Sequence, residues 1–203
     1  MKNFCIQVFF LLFLLPVLVL SSAESSKWSK SNEALIKKMQ KGGHVLYFRH
    51  ASTEKDYADQ VKANVNDGST QRVLSEKGWH EAVHIEDAVR FYKIPVGKVI
   101  SSEYFRAWQT AWLAFGKYEK NADLNFLPFA DFTDEQMKTM KKRVLPFLST
   151  KPEKGKNTII VAHDDPFEAA TGIYPEPQGI CYILEPKGKG SFEIIGFLKP
   201  NDW

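Results

Sequence analysis

Cysteine is almost missing from this chain of 203 residues, which holds two, Cys5 and Cys181. Cys5 falls in an apolar N-terminal stretch that reads as a leader. Its removal leaves Cys181 alone, and one cysteine forms no intramolecular disulfide. An excess of one charge is missing too. Lys and Arg number 27 against 24 Asp and Glu, a net charge of +3, which falls to +2 without Lys2. That balance is too weak to argue for nucleic acid as a partner. No internal repeat or low-complexity tract is present, so the chain is not a repeat array. The apolar run at residues 8–20 is short for a membrane span, and Pro16 interrupts it.

The start of the chain instead has the pattern of a secretory leader. Lys2 supplies the charged beginning, the apolar run follows, and Ser21-Ser22-Ala23 offers small residues for cleavage. The expectation is a leader over residues 1–23 and export to a periplasm or beyond. No stable membrane association should persist once the leader is cut. Residues 24–203 are expected to form a single domain. A hydrophobic content of 44% and a charged content of 25% suit a soluble protein with one core. Oligomeric state is left open by the composition.

Periodicity predicts helices over residues 31–40, 75–92, 103–118 and 133–148, with Ser75 as N-cap of the second and Gly42-Gly43 ending the first. Short apolar runs predict strands over 44–48, 98–101 and 158–162, and a hairpin over 180–185 and 192–198. Residues 51–72 are polar and read as a long loop. Strands alternating with helices predict an α/β domain, a three-layer α/β/α sandwich with a mostly parallel sheet.

Ligands of such sheets bind beyond the carboxyl ends of the strands. There the sequence places Arg49 and His50 after one strand and His163 and Asp164 after another. A third strand leads through Ser101-Ser102 into a helix carrying Arg106. Two arginines and two histidines at one edge repel each other unless an anion lies among them. A phosphate suits the site, because arginine forks match its oxygens and helix N-termini add backbone donors.

Four stretches, in this order, resemble the motifs of the histidine phosphatase superfamily, also called phosphoglycerate mutase-like. They are VLYFRHASTE, LSEKGWHEA, VISSEYFRAWQTA and TIIVAHDDP. The resemblance spans residues 43–198. Ala51 stands where glycine is commoner after Arg-His, and Glu103 where proline is common, departures that bear on substrate class more than on fold. The resemblance implies a phosphomonoester hydrolase in which His50 attacks phosphorus to give a phosphohistidine. Arg49, Arg106 and His163 would hold the phosphoryl oxygens. No metal or other cofactor is implied, since fixed cations supply the electrostatic stabilisation. The substrate would be a small-molecule or glycan-linked phosphomonoester. Asp164 is the favoured proton donor to the leaving group, Asp131 the alternative, and Arg72 a further candidate phosphate contact. Cys181, in an apolar run, is expected to be a buried hydrophobe.

Two other readings follow from the same residues. A phosphate-binding module on this fold would hold anions without turnover. The stretch His80-Glu81-x-x-His84 matches the H-E-x-x-H signature of zinc peptidases. On a helical wheel Gly78, Ala82, Ile85 and Val89 form the apolar stripe, which leaves both histidines on the solvent side. A zinc peptidase needs them turned into the cleft.

Overall fold

In the computed structural model, residues 32–127 and 133–203 are described. The expected leader and Asp131 lie outside the described residues. The centre of the fold is β1 (Val45–Arg49), all five residues of which are buried. A continuous apolar run of this kind marks a strand covered on both faces. Leu46 and Phe48 point into one core, and Val45 and Tyr47 into the other.

Around β1 lie β2 (Val96–Ser101), β3 (Glu119–Lys120), β4 (Asn157–Ala162), β5 (Cys181–Gly188) and β6 (Ser191–Leu198), in the order β3-β2-β4-β1-β5-β6. The pairs β3-β2, β2-β4 and β4-β1 are parallel, and β5 is antiparallel to both neighbours. The first core is closed by α1 (Glu33–Lys41), α2 (Glu76–Phe91) and α3 (Phe105–Phe115), together with Trp203. The second is closed by α4 (Asp134–Ser149) and α5 (Asp164–Thr171). The molecule is therefore the three-layer sandwich with a mostly parallel sheet that the element pattern predicts. Cys181 is fully buried within it.

Local chemistry sets the boundaries. Ser75 caps α2 by accepting from the Gly78 N–H, and Thr133 and Gln136 form a capping box at the start of α4. The third helix is shorter than predicted because Gly116, at φ 67°, takes the left-handed conformation that ends it. Residues 119–120 then pair with β2 instead of extending the helix. Two charged residues give no strand signal, so β3 was not legible. The hairpin strands run further than predicted, and the reversal narrows to Lys189 and Gly190, both at positive φ. Pro186 is tolerated in β5 because β1 has already ended at the Val45–Leu184 pair.

Candidate active site

Three adjacent parallel strands deliver their last residues to one edge. Arg49 is in register with Ala162, the His50 N–H donates to the Ala162 carbonyl at 2.9 Å, and the Ser102 N–H donates to the Val161 carbonyl at 3.0 Å. Arg49, His50 and His163 thereby meet Arg106, in the first turn of α3. All four are buried. The His50 and His163 rings lie edge to face, 5.4 Å apart.

His50 is held at both nitrogens. Nδ1 lies 2.9 Å from the Ala51 carbonyl, and Nε2 lies 3.1 Å from Arg106 Nε. The guanidinium can only donate, so Nε2 accepts and Nδ1 carries the proton. Burial, then the Arg106 charge, pushes the His50 pKa well below 6.5. The ring is neutral at pH 7, with its lone pair on Nε2. Thr110 links this corner to α3: it accepts from the Ala51 N–H and donates to the Arg106 carbonyl.

His163 is neutral for the same reasons, burial first and Arg106 second. Its Nε2 lies 2.7 Å from Ser102 Oγ. Ser102 donates to Asn125 Oδ1, whose orientation is set by the Glu103 N–H and carboxylate. Ser102 therefore accepts from His163, and Nε2 carries the proton. His163 Nδ1 is buried without a hydrogen-bond partner.

The anticipated repulsion among the cations is relieved by the protein's own carboxylates. Arg106 presents its fork to Asp59, Nη1 to Oδ1 and Nη2 to Oδ2, each at 2.9 Å. Arg49 pairs with Asp164 at 2.6 Å and with Glu176, and donates to the Pro175 carbonyl. Tyr174 donates to Asp164 Oδ2 at 2.6 Å, and Arg49 lies 5.2 Å from its ring centre. Asp164 is thus brought into the cluster. It does not cap α5, whose N-cap is His163. Beside it, burial and the Asp164 charge push Asp165 up to about 7.

Asp59, Tyr174 and Glu176 were not anticipated. Asp59 is one of several acids in a polar loop, and no local pattern sets it apart from Glu54 or Asp56. Arg72 lies close by: its backbone N–H donates to Asp59 Oδ1 at 2.7 Å, and its Nε is buried without a partner. A cavity of about 590 Å³ opens beside the cluster, lined by Arg49, Lys55, Arg72, Lys77 and Glu176 among others.

The H-E-x-x-H stretch lies elsewhere on α2 and is divided between its faces. His80 is exposed, 3.9 Å from Glu76, whereas Glu81 is buried and accepts the Ser52 N–H at 2.8 Å. A peptidase site needs all three on one side. Among the described residues no three His, Cys, Asp or Glu side chains converge as metal ligands.

No family model matches the chain, and no curated protein matches it by sequence. Solved structures do match it in fold. The protein histidine phosphatase SixA complexed with tungstate superposes with a TM-score of 0.53 at 13% identity, covering 77% of this chain and 97% of its own. For a SixA protein from Agrobacterium tumefaciens the values are 0.53, 18%, 78% and 99%. For phosphoserine phosphatase from Entamoeba histolytica, in complex with 3-phosphoglyceric acid, they are 0.56, 12%, 79% and 99%. Identities this low establish a shared fold, and it is the fold that the four sequence motifs imply.

Proposed function

We propose that this chain is a metal-independent phosphomonoester hydrolase that works through a phosphohistidine on His50. The observation that carries the reading is the state of His50. It is a neutral imidazole at the end of a central strand, its Nδ1–H fixed on a carbonyl and its Nε2 lone pair directed at a guanidinium. Nε2 attacks phosphorus as the bond to the leaving oxygen breaks. Arg49 and Arg106 hold the phosphoryl oxygens and stabilise their charge, with Arg72 as a further contact; His163 joins them once its partnerless Nδ1 carries a proton to donate. A substrate bound as its monoanion brings the proton that the Asp164 carboxylate takes up and passes to the leaving oxygen. Water then cleaves the N–P bond, releases phosphate and returns a proton to Asp164. The substrate is a small-molecule or glycan-linked phosphomonoester, met outside the cytoplasm if the leader acts as its pattern suggests.

The test is hydrolysis of an aryl and an alkyl phosphate by the chain from Glu24, in excess chelator. Turnover should persist with chelator and fall at least roughly a thousandfold in His50→Ala. Asp164→Asn should slow the alkyl ester more than the aryl ester, whose leaving group needs less protonation. An unchanged rate in His50→Ala would sink the mechanism. Tungstate binding without turnover on either ester would favour the binding-module reading.

A further inference from the structure

The Arg106 fork assigned to the phosphoryl group is taken by Asp59 with two parallel hydrogen bonds at 2.9 Å. This is the geometry in which a guanidinium grips a phosphate or a carboxylate. Asp59 Oδ1 also receives the Arg72 N–H at 2.7 Å. Asp59 therefore binds as a ligand would, through a side-chain fork and a backbone donor. A second observation is independent of the first. His50, Arg106 and His163 are 1%, 3% and 1% exposed, and none of them lines the neighbouring cavity, which reaches Arg49 and Arg72. Asp59 covers the Arg106 fork from the loop side, while the rings of Tyr104 and Phe126 pack on Arg106 and His163.

The loop is held by polar contacts. Gln60 N–H donates to the Thr70 carbonyl, Gln71 Nε2 to the Asn64 carbonyl, and the Asn64 N–H to Thr70 Oγ1. Tyr57 and Val61 face solvent, at 46% and 73% exposure, and Val65 is half-buried. A segment tied down by hydrogen bonds, with little buried apolar area, opens at low free-energy cost. Its carboxylate anchor into the site is Asp59.

We infer that Asp59 is a built-in competitor for the phosphoryl group, a latch that holds the loop over the site until an incoming phosphate displaces it from Arg106. The inference rests on the proposed function, which assigns Arg106 to the phosphoryl group. In the closed form the protein's own carboxylate neutralises the guanidinium. In the open form the substrate does, and the freed loop uncovers His50. Apparent anion affinity is then reduced by the fraction of molecules that are closed.

The experiment is a calorimetric titration of wild type, Asp59→Ala, Asp59→Asn and Arg106→Ala with tungstate, with hydrogen exchange of the loop followed alongside. The alanine variant should bind tungstate on the order of tenfold more tightly than wild type, and the asparagine variant should fall between them. In wild type, tungstate should speed exchange across residues 55–72, including the Arg72 amide, which loses its acceptor. A nearby negative charge acting only by repulsion would not speed that exchange. Slower exchange on binding, or affinity unchanged in Asp59→Ala, would overturn the latch. The proposed function fails separately: if Arg106→Ala binds tungstate as wild type does, Arg106 is not the phosphoryl ligand. Arg106→Ala losing binding while Asp59→Ala gains none would refute the latch alone.

Discussion

Burial beside two arginines keeps the His50 imidazole neutral and a proton off its Nε2. The same burial makes stability depend on pH. The unfolded chain takes up protons on His50 and His163 as pH falls through about 6.5, while the folded chain resists them, since both pKa values are lowered. Their stabilising contribution is therefore present above about 6.5 and is lost as pH falls toward their folded values. Asp165 has the opposite sign. Its pKa rises from 3.8 to about 7, so its contribution is full below 3.8 and is lost as pH rises through about 7. Asp165→Asn should accordingly stabilise the protein more at pH 8 than at pH 5, and the loss below about 6.5 should persist in the variant. Urea unfolding across that range checks both slopes. A gain from Asp165→Asn that does not vary with pH would show that Asp165 is not held against its charge.

At the scale of elements, the first turn of α2 positions the turn that follows His50. A Cβ on Gly78 would lie 1.9 Å from the Ser52 carbonyl oxygen, so the helix reaches this backbone only as glycine. One turn on, Glu81 receives the Ser52 N–H. Gly78→Ala must separate helix and turn, at a cost of about 2 kcal/mol by the scale of overpacking. Its urea midpoint should drop, and aryl phosphate hydrolysis should drop with it because Ala51 and Ser52 adjoin His50. A midpoint equal to wild type would mean that the two segments separate without strain. Within α2, Glu81 shows how helical phase decides function: the letters of a metal motif are present, yet their sides disagree.

The whole molecule is closed by its last described residue. Trp203 is 1% exposed and stacks on Phe48 at 5.8 Å, in the core shared by α1, α2 and α3. Phe48 is two residues from His50, so this packing supports the strand end that carries His50. Trp203→Ala should destabilise the protein by about 3–5 kcal/mol, as large-to-small core substitutions do. Chemical denaturation measures it, and a loss below about 1 kcal/mol would show that the core refills the space. No described helix is long and apolar enough to cross a membrane.

The sequence by itself determined the layers and the edge where the site forms. The runs of β1 and β4, the Ser75 cap, the phase of α2 and the Arg-His and His-Asp strand ends are local. Apolar period and cap chemistry act within a few residues, and a parallel sheet carries its strand ends to one edge. Tertiary structure alone decided which carboxylate meets which guanidinium. Asp59 reaches Arg106 across 47 positions of sequence, and Glu176 reaches Arg49 across 127. The path of the 51–72 loop brings Asp59 to Arg106, and the segment between α5 and β5 brings Glu176 to Arg49. That path follows from packing and loop hydrogen bonds between distant segments, to which no short window of residues corresponds. The sequence thus foretold a cationic site that needs an anion, and only the folded chain showed that its own Asp59 is the anion on Arg106.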